Sequence, residues 1–174
     1  MLKNFFLIVL FTLSCLHASA QKNDFFISGG LNAPLGNFSK THWLAASAEV
    51  FSLHYHCDSV KENKISFTYK AGFSYYFAGQ KEIVNGFSII YPAFWYGYGF
   101  GGVVYKPIKR LNITLAAGPA ISRYQETTRF NMGAELNAYY FIHCNLSVGP
   151  TLHLVKEGGA DGLFALGVKA NFRL

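Results

Sequence analysis

From Lys64 to Phe77 the chain alternates without a break. Ile65, Phe67, Tyr69, Ala71, Phe73, Tyr75 and Phe77 occupy one parity, and Lys64, Ser66, Thr68, Lys70, Gly72, Ser74 and Tyr76 the other. A period of two puts successive side chains on opposite faces of a strand. One face here is apolar and aromatic, and the other is polar or small. The run is at least the ~10 residues that a tilted strand needs to cross a bilayer.

The same alternation recurs downstream. Leu111, Ile113, Leu115 and Ile121 oppose Asn112, Thr114, Gly118 and Ser122. Phe130, Met132, Leu136, Tyr140 and Ile142 oppose Asn131, Gly133, Glu135 and Asn137. Leu146, Val148, Leu152 and Leu154 oppose Ser147, Gly149, Thr151 and His153. Phe164, Leu166, Val168, Ala170, Phe172 and Leu174 oppose Gly167, Lys169, Asn171 and Arg173. Over 94–105, Phe94, Tyr96, Tyr98, Phe100 and Val104 oppose Gly97, Gly99 and Gly101, and the glycines are expected on the inner face. The segments 24–32 and 43–54 alternate more loosely. Together these predict an all-β fold of eight strands with no helix after Ala20.

The first twenty residues read as an address. Lys3 precedes an apolar run from Phe5 to Leu13, and His17-Ala18-Ser19-Ala20 ends in a small-x-small pattern. This predicts a signal peptide over 1–20 and a single barrel domain over 21–174. Thr12-Leu13-Ser14-Cys15 fits a lipoprotein cleavage box poorly. Charged residues are only 14% of the chain and aromatics are 17%. About a quarter charged is usual for a soluble domain. Lipid against the apolar face accounts for the shortfall. The net charge of +6 is scattered without a basic tract, so no nucleic-acid partner is expected.

The connections also sort by length. Those at 106–110 and 143–144 are short, whereas 33–42, 78–93 and 156–162 are mostly longer and polar or glycine-rich. In bacterial outer-membrane barrels short turns face the periplasm and long loops face outside. The nine residues 55–63 fit that rule badly, and 123–129 is modest for an external loop.

Two segments resemble the small eight-stranded outer-membrane β-barrels, the OmpA-like transmembrane kind. Gly29-Gly30-Leu31-Asn32-Ala33-Pro34-Leu35-Gly36-Asn37-Phe38 is similar to a first strand entering a Pro-Leu-Gly-x-Phe loop. Leu166, Val168, Ala170, Phe172 and Leu174 look like the terminal-strand signal read by the barrel-insertion machinery, with leucine in place of the usual final aromatic. The resemblance implies an eight-stranded antiparallel up-and-down barrel in the bacterial outer membrane. Its partners would be outer-membrane lipid and the insertion machinery.

Candidate sites are few. Gly97-x-Gly99-x-x-Gly102 matches a dinucleotide-binding pattern, but Val103-Val104-Tyr105-Lys106-Pro107 follows instead of the required helix. No cofactor is expected. His54, His56, Cys57, His143 and Cys144 are metal-ligating types without a metal-site spacing, so no metal is expected either. A Cys57–Cys144 disulfide is chemically allowed in the periplasm. It would require the 55–63 segment to fold beneath the barrel. The strongest set is interior. Glu49, Lys70, Glu135 and Lys169 share an inward parity at similar depth, and opposite charges in a narrow lumen should pair.

The functional expectation is a non-enzymatic barrel whose structural or surface-interaction role lies in its external loops. One alternative is passage of small or apolar molecules through a narrow lumen. Another is a soluble lipocalin-like barrel, which packs its apolar face inward. Catalysis lacks a complete set: His153, near Ser147 and Thr151, shows no partner acid in the sequence. Trp43, Tyr91, Phe94, Trp95 and Tyr96 near the loop ends are expected to form an interfacial girdle.

Overall fold

The strands are held in a closed ring in a computed structural model, which describes residues 24–53, 64–79, 81–84, 87–156 and 162–174. They are β1 (Asp24–Leu35), β2 (Ala45–Leu53), β3 (Ile65–Tyr76), β4 (Lys81–Val84), β5 (Phe87–Ile90), β6 (Phe94–Ile108), β7 (Leu111–Tyr124), β8 (Thr127–His143), β9 (Leu146–Lys156) and β10 (Leu163–Arg173). The barrel runs β1-β10-β9-β8-β7-β6-β3-β2 and closes on itself, every neighbouring pair antiparallel. Strands β4 and β5 form a separate hairpin within the long 78–93 connection. The expected signal peptide at 1–20 lies outside the described residues, as does the whole of the 55–63 segment.

Closure follows from the solvent. In hydrocarbon every backbone N–H and C=O must find a partner within the protein, and a closed barrel leaves no edge. Strand lengths from 9 to 17 residues suffice to cross, and β6, β7 and β8 are longer than crossing requires. Outward positions are apolar on nearly every strand: Phe67 on β3, Leu115 on β7, Leu136 on β8, Leu152 on β9, Val168 and Phe172 on β10. Inward positions on β1, β2, β3, β7, β8, β9 and β10 are rich in Ser, Thr, Asn and Gly. That polarity is the reverse of a lipocalin-like barrel, so the soluble alternative is corrected by the structure. Apolar side chains on this scale belong against lipid.

Both ends of the described chain meet at one rim. Arg173 bonds Asp24 at 2.7 Å, and the Leu174 N–H donates to the Phe25 carbonyl at 2.8 Å. The short turns at 109–110 and 144–145 lie at the same rim. This is the periplasmic rim by the loop-length rule. At the other rim, β7 and β8 are joined by Gln125-Glu126 alone, with Gln125 at φ 54°. The external connection read as 123–129 is therefore a tight turn, because the strands continue almost to its tip.

Strand β6 departs from expectation. Phe94, Tyr96, Tyr98, Phe100 and Val104 are buried inside the barrel, and Gly97, Gly99 and Gly101 carry the outward parity. The glycines were expected inside, and the reason for the reversal is volume. At and above the charged layer the facing strands present mainly small side chains inward (Ser47, Gly72, Ser74, Ala116, Ala120 and Gly133), so β6 supplies the bulk that fills this part of the eight-stranded lumen. Inward glycines on facing strands receive the rings. A Cβ on Gly72 of β3 would lie 2.5 Å from Tyr98 Cζ, and one on Gly133 of β8 would lie 2.7 Å from Phe100 Cζ. Gly72→Ala is therefore expected to destabilise the barrel by ~1–3 kcal/mol, an overpacking cost. Urea unfolding in lipid vesicles reads it, and an unchanged midpoint would contradict this packing.

Candidate functional site

Two features of the interior stand out: an ionic layer at mid-height, and a cup at the external mouth.

The ionic layer joins four strands that are remote in sequence. Lys70 Nζ of β3 lies 2.6 Å from Glu135 Oε1 of β8 and 3.4 Å from Glu49 Oε1 of β2. Lys169 Nζ of β10 lies 2.9 Å from Glu49 Oε2 and 3.0 Å from Glu135 Oε2. Each lysine touches both carboxylates, so two positive and two negative charges close a ring with no net charge. All four side chains are buried. Such a group is tolerable only if its remaining lone pairs are also satisfied. The Tyr98 hydroxyl donates to Glu49 Oε2 at 2.7 Å, and Asn137 Nδ2 donates to Glu135 Oε1.

A histidine extends this layer outward. His153 Nε2 lies 3.1 Å from Glu135 Oε2, at ion-pair distance but without hydrogen-bond alignment. Its Nδ1 lies 3.1 Å from the Tyr96 hydroxyl. A neutral imidazole with its proton on Nε2, accepting from Tyr96 at Nδ1, keeps the whole layer neutral. The partner acid that the sequence did not reveal for His153 is thus Glu135. Neither Ser147 nor Thr151 bonds the imidazole: Ser147 accepts from Asn171 at 2.9 Å, and the Thr151 hydroxyl has no hydrogen-bond partner among the described residues. The Tyr96–His153–Glu135 chain is enclosed by the barrel wall.

Aromatic layers close the lumen on both sides of the charges. Toward the periplasm, Phe26 stacks on Phe51 at 5.3 Å, Phe51 stacks on Tyr139 at 5.8 Å, and Phe141 meets Phe26 edge-on at 6.0 Å. Lys70 Nζ sits 5.5 Å from the Phe51 ring centroid. Toward the outside, Tyr76, Phe94, Tyr96, Tyr98 and Phe100 form one buried cluster.

Above that cluster a 3-10 turn, Gly36–Lys40, folds over the mouth. Its Phe38 packs edge-on against Tyr76 and Phe94 and stacks on His42 at 4.4 Å. His42 Nε2 donates to the Pro92 carbonyl at 2.9 Å, tying the β1–β2 connection to the start of β6. Between these parts lies a cup of about 280 Å³. Phe38, Tyr91, Phe94 and Tyr124 give it aromatic walls, and Thr41, Ser122, Thr127, His42 and Arg129 give it polar ones.

No protein-family model and no curated protein matches the sequence. Solved structures do. Ail, the attachment invasion locus protein of Yersinia pestis, superposes with a TM-score of 0.57 at 11% identity, over 87% of this chain and 97% of Ail. The outer membrane enzyme PagL gives 0.57 at 12% identity, over 86% of this chain and 99% of PagL. A de novo designed transmembrane β-barrel gives 0.52 at 12% identity, over 87% of this chain and 95% of the design. The chain folds as a small outer-membrane β-barrel. At such identities the likeness carries the fold and no more.

Within this barrel the structure brings Glu49, Lys70, Glu135 and Lys169 together as one layer. Cys144 is disulfide-bonded, and its expected partner Cys57 lies outside the described residues, as do His54 and His56. No metal-ligating cluster occurs among the described residues. The girdle expectation needs correcting for two residues: Trp43 is exposed and Trp95 is only partly buried, but Phe94 and Tyr96 point into the lumen. Sequence reasoning missed Tyr96 and Tyr98 because their strand was turned inside out. It missed the cup because that joins a turn, four strand ends and a loop.

Two outcomes follow. Lys70→Met leaves a buried carboxylate short of a counter-charge and is expected to cost ~3–5 kcal/mol. Lys70→Met with Glu135→Leu restores neutrality and should recover much of that loss in urea unfolding. Additive losses would contradict a coupled ring. At the mouth, burial pushes the His42 pKa below 6.5, only partly opposed by its bond to Pro92. The folded mouth therefore prefers neutral His42. Its stability is full above about pH 6.5 and declines as pH falls through the lowered pKa. Fluorescence of the neighbouring Trp43 should change with a midpoint below 6.5 and lose that change in His42→Gln.

Proposed function

We propose that this protein is an exported, non-enzymatic outer-membrane barrel that acts through its external end. The observation that carries the reading is the layered lumen: an ionic layer lies between two buried aromatic clusters. Eight strands leave room for side chains and no aqueous channel, and here side chains take that room. A sealed barrel offers a partner only its outer face and its ends. The larger external connections, 36–44 and 77–93, include the turn over the mouth and the β4–β5 hairpin. The signal-like residues 1–20 and the apolar outward row of β10 support export and integration into outer-membrane lipid.

The fold leaves catalysis open, since PagL is an outer membrane enzyme on the same architecture. What speaks against it here is access. His153, the best general base, is fully buried and among the described residues meets only Tyr96 and Glu135 as polar partners. Passage of small molecules meets the same obstacle.

The test combines conductance with loop exchange. Purified protein in planar lipid bilayers should give no steady conductance. Cells displaying it should lose any surface binding gained over empty-vector cells once 36–44 and 77–93 are replaced by short Gly-Ser turns. An ohmic pore, or binding that survives the exchange, would overturn the reading.

A further inference from the structure

The periplasmic rim is basic along one side. The Lys109-Arg110 turn joins β6 to β7 there, and Lys64 directly precedes β3, the strand beside β6. The Lys106 N–H donates to the Lys64 carbonyl at 2.8 Å, which sets Lys64 beside the strand that ends in the turn. The Phe141 N–H donates to the Arg110 carbonyl at 2.8 Å and fixes the turn against β8. Lys64, Lys109 and Arg110 are exposed, and none is ion-paired among the described residues. Asp24, the one acidic side chain described at this rim, is held by Arg173 at 2.7 Å. The sequence of 54–63, which joins β2 to β3, carries Asp58, Lys61 and Glu62, one acid in excess against these three cations.

The cations stand where the lipid-facing surface ends. Ile65 and Phe67 at the start of β3 and Tyr105 and Ile108 at the end of β6 are exposed on the outer face of the barrel. Ile108, next in sequence to Lys109, is 60% exposed, so apolar and charged surface meet within one residue. In a bilayer that boundary is the headgroup level. A phospholipid has the same order, a charged phosphate and then acyl chains. Each lysine or arginine near an anionic membrane surface favours it about five-fold. A guanidinium also matches paired phosphate oxygens. Backbone bonds brace the turn before lipid arrives, which lowers the ordering cost of binding.

We propose that this surface binds an anionic phospholipid of the periplasmic leaflet, its phosphate held by Lys64, Lys109 and Arg110 and its acyl chains laid along Ile65, Phe67, Tyr105 and Ile108. The site rests on membrane residence and on this rim facing the periplasm, and is independent of any role for the external end. A zwitterionic lipid carries the same phosphate with an ammonium that cancels it, so net charge is what the site selects.

Native mass spectrometry of the whole barrel, released from micelles with equal phosphatidylglycerol and phosphatidylcholine, tests it. Bound phosphatidylglycerol should exceed phosphatidylcholine about five-fold or more. Lys64→Gln/Lys109→Gln/Arg110→Gln should bind the two lipids alike. Lys40→Gln/Arg123→Gln/Lys156→Gln removes equal charge at the external rim and should keep the preference. Heat-dependent gel mobility verifies that each variant is folded. Should the first variant not fold, Lys109→Gln/Arg110→Gln, confined to the turn, should lose most of the preference. Glycerol 3-phosphate in ten-fold excess over lipid should leave the bound lipid in place, and its displacement would mark a free-phosphate site instead. The proposal is overturned by that displacement, by a parent that binds both lipids alike, by a periplasmic-rim variant that keeps the preference, or by an external-rim variant that loses it equally.

Discussion

Two lysines and two glutamates occupy the middle of the lumen, between a buried aromatic cluster on the periplasmic side and another on the external side. An ion alone in such a place costs several kcal/mol even after relaxation. Four that alternate in a ring offset one another, provided every oxygen left over finds a donor. Glu49 finds Tyr98, and Glu135 finds Asn137 with His153 beside it. That requirement reaches outward through the structure. Tyr98 must point inward to reach Glu49, so all of β6 takes the aromatic-inward parity. Tyr96 then meets His153, and Phe100 needs the space left by Gly133. The charged layer and the aromatic packing above it are one solution to a single problem.

On the reading proposed above, the same packing leaves function to the ends of the barrel. A barrel filled in this way is a rigid post in the membrane. Its outer face is matched to lipid and its interior is committed to holding charges and rings. Variety is left to the rims. At the external rim a turn and a loop are drawn together by Phe38, His42 and Pro92, and the ends of β6, β7, β8 and β10 complete the cup beneath them. Rigid strand ends position such a site better than loops alone would.

The legibility of each element followed its contrast. On β3, β7, β8, β9 and β10 one parity is apolar and the other carries Ser, Thr, Asn, Lys or Glu, so the inner face declares itself. The four inward charges were readable for that reason. Parity and distance from the turn suffice to set them at one depth. On β6 the choice lies between aromatic and glycine, and neither is polar enough to mark a face. Tyr96, Tyr98 and the Glu135–His153 contact were hidden behind that ambiguity. The cup was hidden more deeply, since Phe38, Phe94, Ser122, Arg129 and Leu163 share no period and no motif.

Alternation alone determined that this chain is a set of two-faced strands, how many cross, and which side chains travel together. Those are local properties, set by backbone geometry one residue at a time. Only the closed barrel decided which way β6 faces, which acid meets His153, and where an empty space remains. Those depend on filling one shared volume from eight strands, and no strand carries that sum in its own sequence.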